Sequence, residues 1–333
     1  MPVPFRAVHQ IARPTGLPTA DLFAFVDGVL PALAEGEALV ENAFLSVDPY
    51  MLGLMDDEED GYPLHAPLEG RAVGRVVESR SAALPVGTAV IHREGWRTHA
   101  VVAPGQVRVL PELPGVPLSA HLSVLGGTGL SAYVGLTRIA GLKPGEDFFV
   151  SAAAGGVGTA AGQLARLLGA RRVVGSAGSA AKTAFLTGEL GFDAAFDYHA
   201  GPVAELLAEA APTGIDVYLD NVGGEHLEAA IGAMRDYGRI AWCGAISQYG
   251  VATPAPAAPH NLFELVARSV RLEGFLVRHH LDAQQELYDL LAPQLRSGRV
   301  RAPETVLDGF DHIVEAFLGV LAGANTGKML VRI

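Results

Sequence analysis

The sequence predicts an α/β protein built from a mostly β domain and a doubly wound parallel sheet. Three observations carry that expectation: the length, a change of texture near Glu146, and a glycine-rich turn just beyond it. The chain has 333 residues, and a single core rarely grows past roughly 250–300 residues, so two domains are expected. Up to about residue 120 the sequence consists of short extended runs, such as Arg71 to Glu78 and Thr88 to Ile91, broken by Pro, Gly and acidic turns. From Glu146 onward, apolar runs alternate with helical patterns of about a dozen residues, the signature of β-α units.

Six strands are expected in that second region: Phe148–Ala152, Arg172–Ser176, Ala194–Tyr198, Asp216–Asp220, Arg239–Gly244 and Leu272–Val277. Several are apolar throughout rather than alternating, as strands covered by helices on both faces must be. The helix after the first strand carries Val157, Ala160, Ala161, Leu164 and Leu168 on one face, and Gly169 is placed to end it. The segment Thr253 to Pro259, rich in Pro and Ala, cannot be regular helix or central strand, and could cover a pocket. After Gly298 a short strand, an amphipathic helix from Gly309 to Leu321 and a last strand Lys328–Ile333 are expected to rejoin the N-terminal domain. The domain expectation is therefore 1–124, completed by 298–333, and 125–297. The tract Asp56-Asp57-Glu58-Glu59-Asp60 reads as a solvated loop.

Composition narrows the function. Half of the residues are apolar and 18% are charged, which suits a globular enzyme and not a disordered chain. A net charge of −12 repels nucleic acid and anionic membrane surfaces, so neither is expected as a partner. The single cysteine, Cys243, can form neither an intrachain disulfide nor a thiolate zinc cluster, which suits a reducing cytosol. The opening residues lack a basic-then-apolar signal pattern, and no run of about eighteen apolar residues appears, so a cytoplasmic, unanchored protein is expected.

Directly after the first strand of the α/β region the sequence reads Ser151-Ala152-Ala153-Ala154-Gly155-Gly156-Val157-Gly158. Small residues at 152, 155 and 158 let the chain turn sharply, let its backbone approach a pyrophosphate, and let helix and strand pack closely. The helix N-terminus then offers free N–H groups to the anion. A lone glycine turn is weak evidence. One set between a buried strand and an amphipathic helix predicts a dinucleotide site on a Rossmann sheet. An NAD site usually has an Asp or Glu at the end of the second strand for the ribose 2′-hydroxyl. Here that stretch is Gly175-Ser176-Ala177-Gly178-Ser179, with Lys182 following on the next helix and Tyr198 ending the third strand. With no carboxylate to repel a 2′-phosphate and an ammonium to neutralise it, NADPH is the expected cofactor.

These motifs, in their order, resemble the zinc-independent branch of the medium-chain dehydrogenase/reductases that includes leukotriene dehydrogenase/prostaglandin reductase and the NADPH-dependent alkenal reductases. The segments carrying the resemblance are Ser46 to Met51, Gly129 to Tyr133, Ala152 to Gly158, Gly178 to Lys182, Asp220 to Gly224, Cys243 to Tyr249 and Asn325 to Lys328. The resemblance implies a GroES-like substrate domain made from both chain ends, a Rossmann domain, an active-site cleft between them and a homodimer. By position it implies that Ser131 meets the nicotinamide carboxamide. It puts Gly155, Gly156, Val157 and Gly158 at the pyrophosphate, with Lys182 and Tyr198 at the 2′-phosphate. Gly178, Asn221, Cys243, Ala245, Ile246, Ser247, Tyr249, Phe275, Leu276, Val277 and Asn325 line the rest of the cofactor. Two positions depart from the pattern: Leu52 stands where the family often has Arg, which bears on the substrate pocket, and Ser131 replaces Thr while keeping a hydroxyl.

No metal is expected. Catalytic zinc needs Cys and His with a carboxylate, and structural zinc needs four cysteines. Leu68, before Glu69-Gly70, replaces the histidine of the metal-dependent relatives, and the adjacent His279 and His280 face different ways. Without a Lewis acid, catalysis must hold the nicotinamide against an electrophilic carbon and stabilise charge on the acceptor oxygen, which suits a small α,β-unsaturated carbonyl substrate. Tyr249, in the loop after a strand's carboxyl end, is the first candidate donor to that oxygen, and Tyr50 from the N-terminal domain is the second. A quinone reductase and a non-catalytic NADPH-binding sensor are the competing readings.

Overall fold

Apolar runs and the turns between them set the element order, and the computed structural model describes residues 3–56, 61–249 and 259–333. In chain order come β1 (Val3–Gln10), β2 (Phe23–Leu30), β3 (Ala38–Ser46), α1 (Met51–Asp56), β4 (Ala72–Ser79), β5 (Ala89–His92), β6 (His99–Val102), β7 (Arg108–Val109) and α2 (Gly127–Val134). Then follow β8 (Asp147–Val150), α3 (Gly156–Leu167), β9 (Arg172–Ala177), α4 (Ala180–Glu189), β10 (Ala194–Asp197), α5 (Val203–Ala210), β11 (Ile215–Asp220), α6 (Gly224–Ala233) and β12 (Met234–Trp242). The chain ends with α7 (Phe263–Ala267), β13 (Arg271–Gly274), α8 (Gln284–Arg296), β14 (Glu304–Asp308), α9 (Ile313–Leu321) and β15 (Lys328–Arg332). Residues 57–60 of the acidic tract and 253–258 of the Pro/Ala segment lie outside the described residues. No helix among the described residues is long and apolar enough to cross a membrane.

The chain forms two units, Met1–Leu122 with Thr305–Asn325 and Met329–Ile333, and Ser123–Glu304 with Thr326–Lys328. Their edges fall after Leu122 and Glu304, against expected edges at 124 and 298. The first unit is antiparallel: β1 pairs with β2, and a seven-stranded sheet runs β14-β15-β3-β4-β5-β7 with β6 also on β3. Its buried side chains include Val40, Val76, Val90 and Val102 in one cluster and Val73, Leu110, Leu122 and Leu330 in another. In β3 and β4 a run of three buried residues is followed by one exposed charged residue, Glu41 and Arg75 respectively, and then by another buried one.

The second unit is a six-stranded parallel sheet in the order β10-β9-β8-β11-β12-β13. Numbered within the sheet this is 3-2-1-4-5-6, the Rossmann order, and the direction of winding reverses between β8 and β11. All four residues of β8 are buried, and Phe149 stacks on Tyr218 of β11 at 4.8 Å between ring centroids. The expected strand at Arg239 begins earlier, at Met234, because Tyr237 takes φ +62° and lets the chain kink within β12. The last strand ends at Gly274 instead of Val277, since Val277 already opens a 3₁₀ turn running to Ala283.

Candidate active site

The carboxyl ends of β8 and β11 meet where the sheet reverses, and the chain there is tied by a dense set of hydrogen bonds. Asp220, fully buried, accepts from the Tyr218 hydroxyl (2.7 Å), the Ser151 hydroxyl (3.1 Å) and the amides of Val222 (2.8 Å) and Gly223 (2.9 Å), all on one carboxylate oxygen. Burial pushes its pKa up, against the pull of those donors. Asn221 in turn donates its amide to the Ser151 hydroxyl (2.9 Å) and its side-chain Nδ2 to the Ser151 carbonyl (2.8 Å). The glycine turn and the loop after β11 are thus one hydrogen-bonded body, and Asp220 is its hub, a role pattern reading missed.

The turn itself depends on positive φ and close approach. Ala152 sits at φ +49°, and an added Cβ on Gly158 would lie 2.5 Å from both the Ala152 carbonyl oxygen and the Ala153 Cα. Only glycine lets α3 start that near the strand end. The first intrahelical bond is Thr159 N–H to Gly155 O at 2.9 Å, so the amides of Gly156, Val157 and Gly158 precede it and face outward for an anion. The C-terminal segment adds to this cradle. Gly327 N–H donates to Ala154 O at 2.7 Å, and the side chain of buried Lys328 comes within 3.4 Å of the position a Gly156 Cβ would take. Sequence reading placed Thr326 to Lys328 only as a family motif; that it reaches the glycine turn depends on tertiary pairing between Gly155 and Gly327.

Beyond β9, Ser179 caps α4 by accepting from the Lys182 amide at 3.3 Å, which places Lys182 on the first helical turn. Partial burial lowers the Lys182 pKa from its ordinary value. Gly178 leaves bare backbone beside the Tyr198 hydroxyl: an added Cβ would stand 3.0 Å from that oxygen. Gly178 and Tyr198 therefore border one patch, and Lys182 stands on the first turn of the helix that follows Gly178.

After β12 the chain carries Cys243, Ala245, Ile246, Ser247 and Tyr249. Cys243 N–H donates to Asp220 O (2.8 Å), Ile246 N–H to Asn221 O (3.1 Å) and the Ser247 hydroxyl to Val222 O (2.5 Å), so this loop is anchored to the β11 loop. Burial pushes the Cys243 thiol up to about 12, with a Ser131 hydrogen bond opposing. Ser131 also donates its hydroxyl to Gly127 O at 2.8 Å, so the hydroxyl expected for the carboxamide is already engaged inside the protein. Tyr249 is half-buried, and burial raises its pKa while a hydrogen bond from the Ala245 amide lowers it. Its oxygen accepts from that amide, which leaves its own O–H free to donate. After β13, Phe275 packs toward Gly135, Leu276 is exposed and Val277 opens the 3₁₀ turn. His279 is exposed and His280 half-buried.

Two expected residues, Tyr50 and Asn325, belong to the first unit. The Tyr50 hydroxyl is buried without a hydrogen-bond partner, and the Arg71 guanidinium lies 5.6 Å over its ring. Arg71 stands 3.9 Å from Asp48, which also accepts from the Ser46 hydroxyl at 2.6 Å. Burial, with the Asp48 charge, raises the Tyr50 pKa and keeps the phenol protonated. Leu52, where the family often has Arg, is a buried side chain of α1, 1% exposed. Asn325 is buried.

The residues fit a dinucleotide: an amide cradle at α3, a glycine-bared patch beside a lysine, and hydroxyl donors. They do not fit a resident zinc. The chain has one cysteine, Leu68 is a buried core residue, and no three His, Cys, Asp or Glu among the described residues group as metal ligands.

Comparison with known proteins follows the same division. A sequence profile described as the N-terminal domain of oxidoreductase matches residues 6–110, and one described as zinc-binding dehydrogenase matches residues 156–293. Rat prostaglandin reductase 1 is 42% identical over 321 residues, covering 95% of each chain. The NADP(+)-dependent 2-alkenal reductase of Nicotiana tabacum is 37% identical over 302 residues, covering 89% of this chain and 87% of its own. The crystal structure of CurA from Vibrio vulnificus in complex with NADPH superposes with a TM-score of 0.91 at 34% identity, covering 98% of both chains.

Proposed function

Since the chain belongs to the zinc-independent branch of the medium-chain dehydrogenase/reductases, we propose that it reduces the C=C bond of an α,β-unsaturated aldehyde or ketone with NADPH. That it is an NADPH-dependent oxidoreductase follows from the family. The choice of acceptor rests on one observation: the groups available to meet a developing oxyanion are protonated hydroxyls. Burial holds the phenols of Tyr249 and Tyr50 in their neutral, donating form.

A bound dinucleotide would supply the hydride: the amides of Gly156, Val157 and Gly158 would hold its pyrophosphate, Lys182 and Tyr198 would border its 2′-phosphate, and the tied loops at Asn221 and Cys243 would orient its other end. Tyr249 then donates its O–H to the carbonyl oxygen of the acceptor as negative charge moves there from the β-carbon. The α-carbon takes its proton from solvent water, directly or relayed through the Tyr249 hydroxyl, so that one hydride and one proton add across the C=C bond and the product is the saturated carbonyl compound. Tyr50, a buried donor with no protein acceptor, is the second candidate donor.

The test is NADPH consumption with an enal, an enone and a quinone, and NADP⁺ reduction with an alcohol, each followed by mass spectrometry of the product. The expected product is a saturated aldehyde or ketone with its C=O intact. An allylic alcohol, or turnover with the quinone alone, would replace this reading; tight NADPH binding with no turnover on any acceptor would favour a sensor.

We also propose a homodimer. β13 ends the six-stranded sheet, so its outer edge is unpaired among the described residues, and Phe263 and Val266 on the adjacent α7 are 77% and 70% exposed. Open edges and clustered apolar side chains are surfaces that proteins ordinarily cover. Light scattering should give twice the 34.7 kDa chain mass; a mass of one chain at micromolar concentration would exclude it.

A further inference from the structure

His199 follows Tyr198 at the end of β10, and no motif in the sequence assigns it a role. Its ring lies 4.1 Å from the Tyr198 ring, centroid to centroid. An added Cβ on Gly178 would stand 3.3 Å from its Cε1, so the imidazole borders the same bare backbone patch as the Tyr198 hydroxyl. The backbone amide of His199 donates to Asp197 Oδ1 at 3.0 Å, and its Nδ1 lies 3.3 Å from that oxygen. Nδ1 thus stands near Asp197, and Nε2, on the other side of Cε1, is the nitrogen able to meet a ligand. We infer that His199 is a third recognition group for the 2′-phosphate, beside Lys182 and Tyr198, and makes the preference for the phosphorylated dinucleotide depend on pH.

The inference rests on the reading that the 2′-phosphate lodges between Gly178, Lys182 and Tyr198, and its chemistry is a switch in hydrogen-bond direction. A neutral ring with its proton on Nδ1 presents a lone pair at Nε2, which repels an anion. A protonated ring presents N–H there and carries a positive charge that offsets the nearby Asp197 carboxylate. Imidazoles ordinarily make this change between pH 5 and 8. Of the other titratable groups, Asp197 and Tyr198 share its strand end, and His226 of α6 packs edge-on against Tyr198 at 5.3 Å; Lys182 stands on the first turn of α4. Burial holds the His226 pKa down at about 4, so it stays neutral across the range and does not supply the switch.

The test uses the full-length protein without dinucleotide and reads equilibrium binding by calorimetry, with 2′,5′-ADP and 5′-AMP as probes at pH 6.0 and 8.5. The phosphate of the probe itself gains charge near pH 6, so the quantity read is the ratio between wild type and His199→Gln at each pH. Wild type should bind 2′,5′-ADP about tenfold more tightly than His199→Gln at pH 6.0 and within about twofold at pH 8.5, the size of one charge-assisted hydrogen bond. Binding of 5′-AMP should match within about twofold throughout, which shows that the variant is folded. A 2′,5′-ADP ratio near one at pH 6.0, or a tenfold ratio that persists at pH 8.5, overturns the proposal while leaving the phosphate patch in place. If wild type does not distinguish 2′,5′-ADP from 5′-AMP, and Lys182→Ala changes neither, the patch itself is wrong and the proposal falls with it.

Discussion

Gly158→Ala is expected to weaken NADPH binding by about thirtyfold and to lower Tm by several degrees. The new Cβ would lie 2.5 Å from backbone atoms of Ala152 and Ala153, closer than packed atoms tolerate. The turn cannot retreat, because it is tied on several sides. Ala153 N–H donates to Ser176 O at 2.8 Å, Gly155 N–H to Ala152 O at 2.9 Å, and Ala154 O accepts from Gly327 at 2.7 Å. The start of α3 must therefore move outward and carry its amides away from the anion. Overpacking of this kind costs about 1–3 kcal/mol of stability, which sets the fall in Tm; losing one charge-assisted amide bond to the pyrophosphate costs about 2 kcal/mol of binding, which at about 1.4 kcal/mol per decade gives the stated loss of affinity. Gly155→Ala offers the contrast. Its Cβ would meet only the Ala152 carbonyl, at 3.2 Å, and its φ of −84° is ordinary, so its Tm should stay within about 2 °C of wild type. NADPH fluorescence titration and thermal melts of the two variants check this; a Gly158→Ala protein that binds within threefold of wild type would show that the turn is looser than its hydrogen bonds imply.

Tyr249→Phe should lower kcat about a hundredfold, the lower range for losing a positioned acid, and leave the Kd for NADPH within about threefold. The phenol oxygen accepts from the Ala245 amide and burial keeps it protonated, so its remaining function is to donate. Phenylalanine keeps the ring and its packing and removes only that proton. Single-turnover oxidation of NADPH with an enal, together with a direct NADPH titration, separates the two effects. An unchanged kcat would retire Tyr249 as donor. The same loss found in Tyr50→Phe instead would transfer the role to the hydroxyl that is buried without a partner in the first unit.

Much of this architecture was legible in local pattern. The apolar runs at Phe148, Val173 and Val217 become strands buried on both faces. The small residues at 152, 155 and 158 mark the turn because steric freedom is a property of each residue alone. Boundaries were less legible where one residue left the regular pattern: Tyr237 at φ +62° lies inside a strand whose expected start was Arg239.

By itself, then, the amino-acid order determined a doubly wound sheet, a glycine turn that admits a pyrophosphate and a second-strand end without a carboxylate, because periodicity, steric size and charge are local quantities. Tertiary structure alone decided which polar groups remain able to act. Whether Ser131 is engaged by Gly127, Tyr249 accepts from Ala245, Asp220 gathers four donors or Lys328 comes to lie against Gly156 depends on where partners arrive in space. A hydrogen bond consumes a specific lone pair or proton, and distance along the chain does not reveal which one is left.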